Sequence, residues 1–315
     1  MNSRWKQFRY RLEYLALSSL AAVISLLPRA GVVALAQLAG LLAFTFDRAG
    51  RRVALANLDV AFSETHSLAE KRLLARESYQ HFARTMIDLM WSPRLSRENY
   101  TNYLELEPFP QKPGEGIIIA LFHYSNFEWL GHACGYAGHT GTVIAEEFKN
   151  PLLAPLFRRW REQSGHTVTT QHAGVFRLFK TLRRGGIAAM FFDLSVPAGA
   201  SAVAVNCFGL WKSVTSAPAR LAQRVGVSIV PAYSQPLAGG RYRIVFLDPV
   251  VADATMTPRQ ITQACWDSFE PVVRAHPAPW LWMYKHWRQR PEEEGERYPF
   301  YASELTRFER MLRRP

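Results

Sequence analysis

The stretch Phe122–Gly131, "FHYSNFEWLG", sets an imidazole and a carboxyl group five positions apart, at His123 and Glu128. A histidine whose second nitrogen is held by an ionised acid is a general base in one tautomer. It can lift a proton from a hydroxyl. The spacing fits no regular element. On a helix the two side chains diverge by about 140°, and on a strand they face opposite sides. They meet only if the chain turns between them. The preceding "GIIIALF" reads as a buried strand, and Ser125 or Asn126 can cap a helix that starts just after. His123 then leaves the carboxyl end of a strand, where open α/β sheets place their ligands. Glu128 falls in the first helical turn, where the helix dipole favours its charge. A structural reading fits the same residues: Ser125-x-x-Glu128 is a capping box, and His123 is then a turn residue. There is no G-x-S-x-G elbow, and no cysteine lies near His123 to act as nucleophile. An acid–histidine dyad without a nucleophile suits direct transfer, in which a deprotonated substrate hydroxyl attacks an activated acyl carbonyl.

The elements that must position this pair follow from the texture of the chain. From about residue 103, short apolar runs alternate with helical patterns. Strands are expected over Gly116–Phe122, Thr142–Ala145, Thr167–Thr170, Ile187–Phe192, Val203–Phe208, Ser228–Tyr233 and Tyr242–Leu247, and helices near 126–137, 151–163, 173–184 and 216–225. Such alternation predicts a layered α/β fold with a mostly parallel central sheet. Ser67 and Glu70 form a capping box that opens a helix over 68–90. Thr257-Pro258 with Gln260 opens a late one. No proline- or glycine-rich linker divides the chain. One catalytic domain, 49–315, therefore follows a membrane-associated helical arm, 1–48.

The 315 residues carry a net charge of +12. That balance calls for an anionic partner: nucleic acid, a membrane surface, phosphorylated lipid or an acidic protein. The start, "MNSRWKQFRYRLE", sets Arg4, Lys6, Arg9 and Arg11 against Glu13. Two uncharged stretches follow, 15–28 and 30–46, parted by Pro28-Arg29. Each is short of the roughly 18–20 residues that span a bilayer. One continuous helix would leave Arg29 near mid-membrane, at a cost of about 2.5 kcal/mol or more. Two apolar helices broken at Pro28 and lying in one leaflet are expected. A single tilted span, its basic flank cytoplasmic, and a hairpin buried in protein are the alternatives. Cys134, Cys207 and Cys265 are sparse and form no C-x-x-C, which suggests buried thiols in a reducing compartment. His132, Cys134 and His139 match no zinc spacing, and no metal is expected.

His123-x4-Glu128 after an apolar strand resembles the H-x4-[D/E] signature of the glycerolipid acyltransferase superfamily. More specifically, the chain is similar to the lipid A late acyltransferases, the lauroyl and myristoyl transferases, with the phosphatidylinositol mannoside acyltransferases as relatives in that group. The likeness covers most of the sequence: "LLPRAGVVALAQLAGLLAF", "RRVALANLDVAF", "NPLLAPLFRRWREQSG", "LRRGGIAAMFFD", "SAPARLAQRVGVSIVPAY" and "PWLWMYKHWRQRP" occur in the family's order. Two departures stand out. Leu194 follows Asp193 where the family commonly has glutamine, and Tyr284 and His286 stand where histidine and arginine are usual.

The resemblance implies that His123 is the base and Glu128 its orienting acid. It implies that Arg161, with Arg158 and Arg159 within a turn of it, is a functional arginine, and that Asp193 is a functional acid. Asp193 either partners Arg161 or shapes the turn before Val196-Pro197. Backbone N–H groups near Asn126, or an arginine, would hold the oxyanion. Arg158, Arg159, Lys285 and Arg288 would meet phosphate or a carrier protein, or else form solvated faces. Trp280, Trp282 and Trp287 would grip headgroups, or else pack in the core. The implied reaction is O-acylation of a membrane glycolipid, such as a lipid A precursor, by a thioester on acyl carrier protein or coenzyme A. It would run without a cofactor or nucleic acid, at the cytoplasmic face of the inner membrane. Another lipid acceptor, such as a lysophospholipid, a mannoside or an aminolipid, is an alternative. A basic membrane- or nucleic-acid-binding protein without catalysis is a second. The sequence leaves acceptor, acyl length, donor carrier and oligomeric state open.

Overall fold

The computed structural model describes residues 3–145 and 148–313. The outermost residues of both expected segments, 1–2 and 314–315, lie outside these. Four helices come first: α1 (Ser3–Leu26), α2 (Arg29–Phe46), α3 (Arg48–Phe62) and α4 (Leu68–Trp91). The α/β alternation follows: β1 (Leu104–Leu106), β2 (Ile117–Leu121), α5 (Phe127–Tyr136), β3 (Gly141–Ile144), α6 (Leu153–Glu162), β4 (Thr167–Thr169), α7 (Gln171–Arg183) and β5 (Ile187–Phe191). Then come β6 (Ala202–Cys207), β7 (Leu210–Thr215), α8 (Ala217–Val225), β8 (Ser228–Pro236), β9 (Tyr242–Phe246), α9 (Pro258–Ala275), β10 (Gln289–Arg290), β11 (Ser303–Glu304) and α10 (Thr306–Leu312).

The main sheet has seven strands in the order β1-β9-β8-β2-β5-β3-β4. β8, β2, β5, β3 and β4 run parallel, and β9 is antiparallel to β8. The mostly parallel α/β sheet expected from the alternation is present. β2 is central, and all five of its residues are buried, "IIIAL". A strand covered on both faces reads as an unbroken apolar run because each alternate side chain meets its own layer. Ile118 and Ala120 face the layer that contains α9. Ile117, Ile119 and Leu121 face the layer that contains α5.

β6 was expected as another strand of this sheet. It instead pairs with β7 in a separate antiparallel hairpin. The turn is Phe208-Gly209, both at positive φ, 54° and 80°, the twist that two-residue hairpins need. Phe208 accepts the left-handed conformation while packing against Trp280 and Trp282. Those two tryptophans and Trp287 are fully buried. They belong to the core, and the expectation that they grip headgroups is corrected.

The chain breaks at Pro28, as its missing N–H requires. Arg29 is mostly buried against protein. It turns inward to the carboxylate of Asp88 on α4, with Nη2 3.0 Å from Oδ2, and its guanidinium lies 4.5 Å from the ring centroid of Trp129. Asn126 and Tyr242 donate to the same carboxylate, each at 2.8 Å. α2 packs along α4 through Val32, Ala36 and Gly40. A side chain at Gly40 would strike the Gln80 backbone, 2.4 Å from where its Cβ would stand. The other sides of α1 and α2 expose Trp5, Phe8, Leu12, Leu15, Leu20, Val23, Leu26, Leu38, Leu41, Leu42 and Phe46. By length and hydropathy, Arg29–Phe46 is the one helix among the described residues that suffices to cross a bilayer.

Asp88 is fully buried and Arg29 mostly so, and removing one partner of such a pair leaves the other uncompensated. Asp88→Ala is therefore expected to cost about 3–5 kcal/mol of stability, read as a lower midpoint in urea. Lys71→Met, which removes the half-exposed ion pair with Asp59, serves as the mild control.

Candidate active site

β2 and β5 are parallel neighbours in register, with Leu121 opposite Phe191. Two residues further on, His123 and Asp193 leave the sheet side by side. His123 Nδ1 lies 2.7 Å from Asp193 Oδ1, and the His123 backbone N–H donates to Oδ2 at 2.9 Å. Trp280 Nε1 also donates to Oδ2, at 3.2 Å. The Asp193 carboxyl is sealed from solvent. Burial alone would raise its pKa, but the charge and hydrogen bonds of His123 and the nearby Lys212 ammonium outweigh it and pull the pKa down to about 2. An ionised carboxylate can only accept, so Nδ1 carries its hydrogen and Nε2 keeps the lone pair. Phe127 and Phe191 flank the ring at centroid distances of 4.9 and 4.4 Å.

Glu128 has a different partner. α5 is capped by Asn126, whose Oδ1 accepts from Trp129 N–H at 3.0 Å. The cap is thus not Ser125, which sits at φ 51° in the turn, and the expected Ser125–Glu128 capping box does not form. Glu128 becomes the second residue of the helix and points to α6. There Arg161 grips it with Nε, 3.0 Å from Oε2, and Nη2, 2.5 Å from Oε1. This is the forked geometry in which a guanidinium binds carboxylate best. The expectation that Glu128 orients His123 is corrected: Asp193 holds the imidazole. The expectation that Asp193 pairs with Arg161 is corrected with it. The two acids have exchanged partners, because strand register brings 123 to 193 while the helical turn carries Glu128 away.

The Asn126 side chain is committed to the cap and to Asp88, and it is fully buried. It cannot itself hold an oxyanion. Of the three arginines on α6, Arg161 lines the cavity, whereas Arg158 and Arg159 lie on the exposed face. Lys285 and Arg288 are exposed as well. Arg288 lies over the ring of Tyr284, 4.8 Å from its centroid, and both line the cavity.

That cavity holds about 940 Å³. It contains His123, Glu128 and Arg161 and continues between the sheet and α5 past Leu121, Leu130, Ile119 and Val143 to Phe109 and His139. His139 stacks on Phe109, and His132 Nδ1 meets Ser164 Oγ at 3.1 Å. Among the described residues, no group of three or more His, Cys, Asp or Glu is placed to hold a metal. A basic imidazole at the head of a deep apolar slot suits proton removal from a hydroxyl beside a long-chain acyl group.

Residues 2–289 match the family described as "Bacterial lipid A biosynthesis acyltransferase". The chain belongs to that family. It is also 26% identical over 178 residues to a "Phosphatidylinositol mannoside acyltransferase" of Mycobacterium tuberculosis, covering 55% of each chain. A protein of the same description from Mycolicibacterium smegmatis is 27% identical over 178 residues, covering 55% of this chain and 57% of the other. The chain thus spans about half the length of these curated relatives.

The sequence pointed to His123 but not to the acid that holds it. The missed signal was the parallel between "ALFH" and "MFFD". Two apolar strands ending in equal fashion lie level if they are parallel neighbours, and their next polar residues then meet. Lys212 and Trp280, which complete the surroundings of Asp193, carried no local signal of that role.

The two pairs predict different outcomes. Asp193→Asn keeps the shape but removes the charge that fixes the tautomer, and a loss of about 10³–10⁴-fold in kcat is expected. Glu128→Gln and Arg161→Met act through one ion pair. Each single variant and the double variant should lose activity to a similar extent, and a multiplicative double loss would show that they act independently. Acid unfolding supplies a further check on Asp193. A carboxyl whose folded pKa is depressed contributes stability above its unfolded value near 4, and this is lost as the pH falls through about 2. Asp193→Asn should therefore flatten the stability profile in that window.

Proposed function

We propose that the chain is a membrane-bound O-acyltransferase that moves a fatty acyl group from a thioester to a hydroxyl of a membrane glycolipid. The observation that carries this reading is His123, locked by Asp193, at the head of the apolar cavity. His123 Nε2 takes the acceptor's hydroxyl proton. The oxygen attacks the thioester carbonyl carbon, and a tetrahedral oxyanion forms. The carbon–sulfur bond then breaks, and the thiolate leaves with the proton from His123. An ester and a free thiol result, and the step draws on no cofactor. Arg161, gripped by Glu128 at the cavity wall, offers positive charge to the oxyanion or to a donor phosphate.

The cavity supports an acyl donor with a long chain. From Asp193 back to Ile187 the strand rises about 20 Å at roughly 3.3 Å per residue, room for an extended chain of roughly a dozen to sixteen carbons. Acyl carrier protein and coenzyme A both offer the anionic thioester that the exposed Arg158 and Arg159 suit. A lipid A precursor is the acceptor that the family match favours, and a phosphatidylinositol mannoside, the lipid for which the mycobacterial relatives are named, is the second. The exposed apolar flanks of α1 and α2, with the basic residues Arg4, Lys6, Arg9 and Arg11, support seating on the cytoplasmic face of the inner membrane.

The test is acyl transfer from a series of acyl thioesters to extracted membrane lipids, read by mass spectrometry. Wild type should yield a heavier glycolipid, and His123→Ala should lose about 10²–10⁴-fold while still sedimenting with membranes. Turnover by His123→Ala close to wild type would remove the imidazole from the reaction. Gly131 lines the slot, and a Cβ there would stand in ordinary contact with His166, 3.8 Å away. Gly131→Phe should shift preference to shorter chains by several carbons and leave short-chain turnover within about threefold, because a filled slot excludes length rather than chemistry. An unchanged length profile would place the acyl chain elsewhere.

A further inference from the structure

Lys212 is a fully buried cation that the reaction above does not use. It stands on β7, opposite Val205 of β6. Its Nζ donates to the backbone carbonyl of Asp193 at 2.7 Å and to His286 Nδ1 at 3.3 Å. His286 Nε2 lies 2.9 Å from the Leu281 carbonyl, to which it donates, so Nδ1 is the bare nitrogen that accepts. The rings of Trp266 and Trp280 lie 4.7 and 5.6 Å from Nζ, a surrounding that favours a cation. None of its hydrogen bonds goes to a carboxylate. The buried negative charge beside it is that of Asp193, which in turn receives Trp280 and His123.

We propose that Lys212 is a positioning residue for the His123–Asp193 pair. Its ammonium pins the Asp193 backbone where the carboxylate meets the imidazole, and its charge lets that carboxylate stay ionised out of water. A lone buried carboxylate would take up a proton or draw one onto the imidazole. With Lys212 the cluster is neutral when His123 is a free base, which is the form that can accept a proton. His286 completes the device by filling the second donor direction of the ammonium. Among the described residues, the other charged and titratable groups near this cluster are Cys207 of β6, Glu270 and Arg274 of α9, and the Glu128–Arg161 pair, which shares the cavity with His123. Glu270 and Arg274 pair with one another at 2.7 Å and nearly cancel.

This inference rests on the acyl-transfer reading for its purpose but not for its test. The His123 ring protons are followed by NMR through a pH titration, with His123→Ala identifying the resonance. Lys212→Met, close in shape, should move the titration midpoint up by about one pH unit, because the opposing cation is gone. Lys212→Arg should leave it in place. If the protein turns over thioesters, the acid limb of kcat/KM should move by the same amount. An unmoved midpoint in a folded Lys212→Met protein reduces Lys212 to packing and overturns the proposal. Should that variant not fold, the wild type decides: ¹⁵N-labelled Lys212 must give an ammonium signal at neutral pH, and a neutral amine there overturns the proposal equally. Failure of acyl transfer alone would leave both spectra as expected.

Discussion

A carboxylate shut away from water must be met by donors or lose its charge, and Asp193 organises this molecule around that requirement. Its oxygens take three hydrogen bonds, from the ring and backbone of His123 and from Trp280. The groups around it come from three parts of the chain. β2 brings the histidine, the buried aromatic segment after α9 brings the tryptophan, and the β6–β7 hairpin brings the Lys212 ammonium beneath. Satisfying one charge therefore fixes the parallel sheet, the hairpin and the late segment against each other. A half-satisfied network would be worse than an apolar core. The rigidity of the base follows from this, because its ring nitrogen and its own backbone amide are tied to the same carboxyl group.

Asp88 repeats the logic on the other side of β2. It too is fully buried, and it gathers Arg29 from the amino-terminal arm, Asn126 from the cap of α5, and Tyr242 from β9. Asn126 is the common member. It caps the helix that begins beside His123, and it ties that cap to the arm. The apolar helices are thus not an appendage joined by a tether. Arg29, the first residue of α2, is a structural part of the turn that carries His123. On the proposed reading, an arm seated on a membrane would set the orientation of the cavity relative to the lipid surface through this one set of contacts.

Much of the fold was written in local pattern. β2, β5 and β8 are apolar runs bounded by turn residues, and α4 and α9 open with capping boxes formed by Ser67 with Glu70 and Thr257 with Gln260. What local pattern cannot state is which strands are neighbours. The apolar run at 202–207 looks like any other strand, yet the φ-positive Phe208-Gly209 turn folds it into a hairpin apart from the sheet. The three late tryptophans lie beside basic residues in sequence, and that mixture read as an interface. In space the polar and apolar residues separate, with Trp280, Trp282 and Trp287 inside and Lys285 and Arg288 outside. The histidine was legible because it ends a strand. Its partner was not, because seventy residues of chain lie between Asp193 and His123 and only the sheet order joins them.

The exchange of partners between the two acids also explains the awkward spacing of His123 and Glu128. Strand register gives the imidazole to Asp193, and the helical turn carries Glu128 to Arg161. With Asp193 serving the imidazole, Glu128 is released to serve the wall. At the second position of α5 its charge is favoured by the helix start, and Arg161 binds it with two parallel bonds. The result is a cation held firmly in the cavity and partly spent. On the proposed reading that state suits transient negative charge: a free guanidinium would grip a phosphate or carboxylate too evenly throughout the reaction, whereas catalysis gains only from what strengthens as the oxyanion forms. The H-x4-E spacing then describes two separate devices that share one short turn, a histidine fixed from the sheet and a cation fixed from the helix, both lining the same cavity.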